Sequence, residues 1–333
     1  TLMRVGQLSE SDAIDGLELP FYSSRHAKEP DLKDNQFDLG NRGLLGYDVI
    51  ARPFREEETA YMDFSLQGKH AMVVGGGRGI GKSIARELAR EGVDVVIAAR
   101  TLPELERTAR ELEDETGRRV IPLTLDVTKR EQVDRAVAEA NEKLGGLHIL
   151  VNSAALPGGS TTAAGPIEIV DENDLLSDFD VKYVGALRCA RAAIPFLKEH
   201  GWGRIINISG HNARNAGNLS AGARNVSLVH LTKTLSTQLG RYGITVNCIH
   251  PGIIRTERTP GVLADRAAQL GISPEEVEQR DYVPGAPRSN AIGRMVESSE
   301  IAYLTAFLAS DKAQAITGEL IEASGGAGNS VYY

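Results

Sequence analysis

From His70 onward the chain alternates short runs of Val, Ile and Leu with longer segments in which apolar residues recur every three or four positions. Ala71 to Val74 is such a run, and after a glycine turn Ile80, Ile84, Ala85, Leu88 and Ala89 fall at helical spacing, so a strand feeds a helix. The unit repeats: Val93 to Ala98 predicts a strand, Leu105 to Glu115 a charged helix, Val120 to Leu125 a strand ending at Asp126, Val133 to Leu144 a helix, and Leu147 to Val151 a strand. A long helix from Asn173 to His200, a strand from Arg204 to Ile208, a helix from Leu228 to Arg241 and a strand from Ile244 to Ile249 follow. A helix from Ile301 to Ser310 and a strand near Leu320 close the series. Strands that are apolar at nearly every position are buried on both faces, as in a parallel sheet covered by helices on each side. The predicted fold is α/β, a Rossmann-type doubly wound parallel sheet in three αβα layers over residues 64–333.

Thr1 to Asp63 breaks this pattern with scattered glycine and proline, the charge cluster Arg55-Glu56-Glu57-Glu58, and no sustained periodicity. These residues predict an N-terminal extended arm, with Tyr22, Phe37, Leu44, Leu45, Tyr47 and Phe54 as sparse apolar anchors, and a partly disordered tail is the alternative. The whole chain of 333 residues is 41% hydrophobic, enough for a large core. Its net charge of -8 argues against a nucleic-acid partner. No apolar run approaches the roughly 20 residues of a membrane span and the first residues lack the order of a secretory signal, so no membrane partner and a cytoplasmic location are expected. Cys189 and Cys248 sit inside a predicted helix and strand rather than at metal-ligand spacing, so both are read as buried structural residues and no metal site is expected.

Chemistry enters at Gly75-Gly76-Gly77-Arg78-Gly79-Ile80-Gly81. A dinucleotide site needs glycines here: the turn is tight, a pyrophosphate must approach bare backbone, and the helix start presents its amides to the anion. Strand before and helix after supply the required context. The second strand ends Ala98-Ala99-Arg100, with no carboxylate to repel a 2′-phosphate and with Arg100 and Arg78 able to pair with one, so NADP(H) is favoured over NAD(H). The alternative is that both arginines are solvated surface charges.

These motifs, with Leu125-Asp126-Val127, Val151-Asn152-Ser153-Ala154-Ala155, Pro251-Gly252-Ile253-Ile254-Arg255-Thr256 and Ile316-Thr317-Gly318-Glu319-Leu320 to Gly325-Gly326, resemble the short-chain dehydrogenase/reductase family in that order, from about Phe64 to Gly326. The resemblance implies that Asp126 and Val127 hold the adenine, that Asn152 and Ala154 flank the cofactor, that Thr256 contacts the carboxamide, and that Gly252 is also cofactor-binding. Ser153 stands where the family usually has a second asparagine. In this family a tyrosine donates the proton, a lysine one helical turn later lowers its pKa, a serine polarises the carbonyl and an asparagine holds a relay water. Aligned on Leu231-Thr232-Lys233, Ile205-Ile206-Asn207-Ile208 and Asp180 to Gly185, those four positions are Ala221, Asn225, Gly210 and Lys182.

Three functions follow from that pattern. The first is an NADP(H)-dependent oxidoreductase with a non-standard active site, reducing an enoyl or carbonyl substrate. Gly75-Gly76-Gly77 and the stretch from Ala98 to Leu105 are similar to 2,4-dienoyl-CoA reductases, which places an acid near His211 and Asn212 and admits an acyl-CoA substrate, although that subset keeps the lysine that is Asn225 here. The second is a non-redox lyase or hydrolase, in which Ser220 and Arg224, one residue out of register with the lost pair, or a desolvated Lys182 carry the chemistry. The third is a redox-inactive NADP(H)-binding protein. The candidate catalytic residues are therefore His211, Lys182, Ser209 and Arg224, against the bland readings of Ser220 as an N-cap and of Lys182 and Arg224 as solvated charges. His230 and His250 are expected to be packed or surface histidines. Residues 255–294, broken by Pro260-Gly261, Pro284-Gly285 and Pro287 and with helical patterns over Ala264 to Leu270 and Pro274 to Gln279, are the expected substrate lid. Family resemblance implies a small-molecule substrate and a homodimer or homotetramer assembled through the faces of the Asn173 to His200 and Leu228 to Arg241 helices.

Overall fold

The apolar runs form strands whose successive side chains enter two separate cores. In the computed structural model, which describes residues 63–156, 158–329 and 331, the elements are β1 (His70–Val74), α1 (Gly79–Arg90), β2 (Asp94–Ala99), α2 (Leu102–Thr116), β3 (Val120–Thr124), α3 (Arg130–Leu144), β4 (Ile149–Asn152), α4 (Glu172–Phe179), α5 (Gly185–Glu199) and β5 (Gly203–Ile208). Then come α6 (Leu219–Leu239), β6 (Ile244–Pro251), β7 (Ile254–Arg255), α7 (Thr259–Leu270), α8 (Pro274–Asp281), β8 (Val296–Glu297), α9 (Ser298–Ala309) and β9 (Leu320–Ala323). Seven strands make one sheet in the order β3-β2-β1-β4-β5-β6-β9, every pair parallel. Val73, Val95, Ile97 and Val151 pack with α1, α2 and α9 on one face, while Met72, Val74, Val96 and Leu150 pack with α3, α5 and α6 on the other. The doubly wound three-layer fold is as expected. Strand order reverses between β1 and β4, and in such sheets the crevice beyond the strand C-termini at that point is where ligands bind.

Helix boundaries differ from expectation where polar residues do the packing. α2 begins at Leu102 because Pro103 is compatible with a first helical turn, and it stops at Gly117 in the left-handed conformation. The helix expected over Asn173 to His200 is an uninterrupted helical run, but Asp180–Val184 is a π-helical turn between α4 and α5, and Lys182 sits in it. One extra residue per turn there swings that side chain relative to an α-helix, a device common at functional sites. α6 starts nine residues before the expected Leu228, capped by the Asn218 side chain, which accepts from the Ala221 amide at 2.9 Å. Ser220 is therefore not the N-cap. Both cysteines are buried, and burial pushes each thiol up to about 12.

The expected lid contains α7 and α8, held together by Leu263, Ala267 and Val277 and by a bidentate Arg266–Asp281 pair at 2.5 and 2.8 Å. α7 starts at Thr259 with Pro260 in its first turn, earlier than the apolar pattern indicates. The expected arm, residues 1–63, lies outside the described residues apart from Asp63. Among the described residues no helix is long and apolar enough to cross a membrane.

Candidate active site

The glycine turn works by close approach. A side chain at Gly81 would put its Cβ 2.1 Å from the Gly75 carbonyl oxygen, and Gly75 itself has a φ of 85°, so neither position accepts another residue without moving backbone. The result is the start of α1 opening into a cleft of about 750 Å³ at the β1/β4 switch point. Gly75, Arg78, Gly79, Ile80 and Gly81 line it from this turn, and Arg100, Asp126, Val127, Ala154, Gly252 and Thr256 line it from the ends of the strands. Both carboxylate oxygens of Glu257 lie 3.1 Å from the Gly79 amide, so an anion already sits on the N-terminus of α1. A helix N-terminus flanked by bare glycine backbone suits an anion, a carboxylate or a phosphate alike.

Charge along the cleft is mixed. Arg78 and Arg100 are exposed, and Arg78 Nε lies 3.9 Å from Glu104 Oε1, a carboxylate brought in by the first turn of α2. Burial raises the Asp126 pKa, but hydrogen bonds from the Thr128 amide at 2.9 Å and hydroxyl at 2.8 Å, with Lys129 and Arg100 nearby, outweigh it and hold the carboxyl below its usual range. Asn152, expected beside the cofactor, is buried and not among the cleft's lining residues: its Nδ2 donates to Asn207 Oδ1 at 2.9 Å, and Asn207 in turn donates to Thr232 Oγ1 at 2.9 Å. It locks β4 and β5 to α6.

A second cavity of about 680 Å³ adjoins the first, and Lys182 and Ser209 line both. Lys182 is 7% exposed, and Nζ donates to the Ser209 carbonyl at 2.7 Å. Burial, with the Arg224 charge adding to it, pulls the ammonium from 10.5 down to about 7. The reading of Lys182 as a solvated charge is thus overturned. The Ser209 hydroxyl is committed to the Asn225 carbonyl at 3.0 Å, so what this residue offers Lys182 is its main-chain oxygen.

Arg224 is likewise buried rather than solvated. It pairs with Asp178, a carboxylate with no exposed surface, and donates to the Leu156 carbonyl at 3.0 Å, while Ser220 Oγ donates to the other Asp178 oxygen at 2.6 Å. This use of Ser220 and Arg224 needs no shift of register: α6 keeps Ala221 and Asn225 on the second cavity. Asn225 leans on Gly210, where a Cβ would meet Asn225 Nδ2 at 2.7 Å, so the carboxamide occupies the space a side chain at 210 would need. His211 lines the same cavity, its Nδ1 2.8 Å from Glu322 Oε1, and Glu322 also pairs with Arg214. His250 is fully buried at the end of β6, and burial, with the Arg214 charge adding to it, pulls its imidazole down to about 4, so it is neutral; His230 is exposed.

Sequence reasoning missed Asp178, Glu257, Glu104 and Tyr282. The last is 7% exposed, lies just beyond α8 and lines the second cavity with Arg288. Among the described residues no group of His, Cys, Asp and Glu is arranged to hold a metal.

Residues 74–328 match the family described as enoyl-(acyl carrier protein) reductase. The chain is 32% identical over 257 residues to the short-chain reductase protein NovJ of Streptomyces niveus, covering 77% of this chain and 92% of NovJ. It is 31% identical to the NADPH-dependent reductase BacG of Bacillus subtilis, covering 80% of this chain and all of BacG. Among solved structures it resembles L-sorbose reductase from Gluconobacter frateurii, complexed with NADPH and L-sorbose, with a TM-score of 0.72 at 29% identity over 80% of this chain and 98% of that one.

Proposed function

Because the chain belongs to the short-chain dehydrogenase/reductase family, we propose that it is an NADP(H)-dependent oxidoreductase that reduces a carbonyl or conjugated enoyl carbon with Lys182 as its proton donor. The observation that carries this reading is the position of Lys182, a buried amine near neutrality on the wall common to the glycine-turn cleft and the second cavity. Relatives and structural neighbours described as NADPH-dependent or NADPH-bound support the cofactor, as do the cradle at Gly75 to Gly81 and the anion already held by the Gly79 amide.

In this reading Gly79, Ile80 and the α1 N-terminus hold the pyrophosphate once Glu257 swings away, and Arg100 and Arg78 receive the 2′-phosphate. Asp126 and Val127 bound the adenine pocket, while Ala154, Gly252 and Thr256 position the nicotinamide end. The bound cofactor supplies a hydride. The site is non-standard: Ala221, Asn225, Gly210 and Lys182 stand where the family resemblance calls for tyrosine, lysine, serine and asparagine. A methyl group and a hydrogen donate no proton, so the acid must come from elsewhere on the cavity wall. With a pKa of about 7, Lys182 holds a proton at Nζ near neutral pH and can release it to a substrate oxygen as negative charge develops there. The Ser209 carbonyl aims the amine, and Arg224, itself held by Asp178, keeps its pKa low. His211, anchored by Glu322, is placed to return a proton to the cavity from solvent. Residues 255–294 act as the lid, and the outer faces of α4, α5 and α6, where Leu176 and Val226 are exposed, form the interface of a homodimer or homotetramer.

The test is NADPH binding by fluorescence, followed by NADPH oxidation against a panel of ketones and enones. Wild type is expected to bind NADPH and turn over at least one panel member, while Lys182→Met retains the NADPH Kd within about twofold and loses turnover at least 100-fold. Undiminished turnover by Lys182→Met refutes the assignment. Tight NADPH binding with no hydride transfer to any substrate points instead to a redox-inactive binder or a non-redox activity.

A further inference from the structure

Four residues lining the second cavity carry a buried side-chain atom with no hydrogen-bond partner, and two of them, His211 and Arg224, belong to ion pairs with Glu322 and Asp178. Asn225 Oδ1 and the Tyr282 hydroxyl are both buried without a hydrogen-bond partner in the protein, on side chains 3% and 7% exposed, and both residues line this cavity. They come from different elements, Asn225 from α6 and Tyr282 from the residue that follows α8. Buried polar atoms are almost always paired, and one left unpaired is costly unless a ligand completes it. Burial raises the Tyr282 pKa, with the neighbouring Asp281 and Glu278 charges acting in the same direction, so the phenol stays protonated and can both donate and accept.

We infer that Asn225 and Tyr282 form a hydroxyl-binding subsite, and that the substrate is a small ketone or enone bearing hydroxyl groups rather than an acyl chain. The inference rests on the reading of the adjoining cleft as the NADP(H) site. A substrate hydroxyl can donate to Asn225 Oδ1, and another can accept from or donate to the Tyr282 phenol. An alkyl or acyl chain in the same volume desolvates both atoms and pairs with neither, and sites built to bond a hydroxyl reject analogues that lack it. The remaining wall is mixed, with His211, Asn215, Ser289 and Asn290 as its polar groups and Leu156, Ile253 and Pro287 as apolar surface. Substrate oxygen at the Lys182 end and hydroxyls at the Asn225 and Tyr282 end would thus be read by one cavity.

Kinetics with matched pairs decide the matter: hydroxyacetone and dihydroxyacetone against acetone, 3,4-dihydroxy-2-butanone against 2-butanone, and crotonyl-CoA as the acyl probe. Wild type is expected to show kcat/KM at least 30-fold higher for each hydroxylated ketone than for its deoxy counterpart, with crotonyl-CoA among the poor substrates. Tyr282→Phe should cut that ratio about tenfold, through KM, with the NADPH Kd unchanged within twofold. Thermal shifts of the NADPH complex give a readout independent of turnover: the hydroxylated ketones raise Tm and the deoxy ketones do not, and Tyr282→Phe abolishes the rise. Equal use of the deoxy ketones, a preference for crotonyl-CoA, or discrimination unchanged in Tyr282→Phe overturns the inference while leaving the reductase reading standing. Failure of hydroxylated ketones both to react and to shift Tm of a complex that does bind NADPH overturns the subsite alone. Failure to bind NADPH overturns both.

Discussion

Replacing Lys182 by methionine should make the protein more stable in neutral and mildly acidic solution, and the gain should disappear in alkali. The folded protein holds the Lys182 proton only up to pH about 7, whereas an ordinary lysine holds it to 10.5. Below pH 7 both states are charged and the fold bears the whole penalty, about 5 kcal/mol by the conversion of about 1.4 kcal/mol per pH unit. Between 7 and 10.5 the unfolded chain binds more protons than the native one, so this group makes stability rise with pH, and above 10.5 its contribution vanishes. Methionine fills similar volume but leaves the Ser209 carbonyl, which Lys182 now satisfies at 2.7 Å, without a donor, an offset of about 1 to 2 kcal/mol. The expected net gain is about 3 kcal/mol at pH 6, shrinking to zero or slightly below by pH 10. Urea denaturation of wild type and Lys182→Met at pH 6, 8 and 10 measures it, and with m of about 3 kcal/mol per M the midpoint should move by about 1 M at pH 6. A mutant less stable than wild type at pH 6, or a gap that does not change with pH, refutes the buried cation. Under the proposed function this burden is what a proton-holding amine in the cleft costs the fold, since destabilising charges concentrate where function needs them.

Three further outcomes follow from the same geometry. Glu257→Gln removes an anion from the site that must receive the pyrophosphate, so the NADPH Kd should tighten about threefold to fivefold at low salt and by less at 0.5 M salt, with weaker binding contradicting a site shared by the two anions. Arg100→Ala should weaken NADPH about tenfold and leave NADH within twofold; an equal loss for both cofactors shows that Arg100 does not face the 2′-phosphate. Asp178→Asn strands the buried Arg224 charge and should cost about 3 to 5 kcal/mol of stability by chemical denaturation, whereas a loss below about 1 kcal/mol means that the pair is not dry.

What was legible in the sequence is what repeats or what tolerates no substitute. The strands announced themselves because burial on both faces demands apolar residues at nearly every position, and the glycine turn did so because a Cβ at Gly81 would collide with the Gly75 carbonyl. The start of α6 was hidden because its first turns bury Ser220, Arg224 and Asn225 against partners far away in the chain, such as Asp178 and Leu156, so no apolar period marks them. Asp178 was invisible for the complementary reason: on a helix a carboxylate reads as solvated until its arginine is found 46 residues later. Glu104 was missed because the cleft was read from the end of β2 alone, while one helical turn of α2 carries that carboxylate back to Arg78. Tyr282 lies between the helical pattern that ends at Gln279 and the breakers Pro284-Gly285, and nothing local says which way its hydroxyl points.

The same pairings bear on whether the altered positions form a working site or the remnant of one. A decayed site keeps its old neighbours, and those neighbours then face groups they do not fit. Here the changes fit one another. Gly210 is as small as Asn225 requires, since any side chain there would strike its carboxamide. Arg224 would be ruinous in this interior alone, yet Asp178, Ser220 and the Leu156 carbonyl converge on it or its partner. Among the described residues no carboxylate touches the Lys182 amine, which lies on the wall shared by the two cavities, and burial with the Arg224 charge depresses its pKa. Paired charges around an amine held near pH 7 are what the proposed function needs, a group that holds and releases one proton beside the bound cofactor.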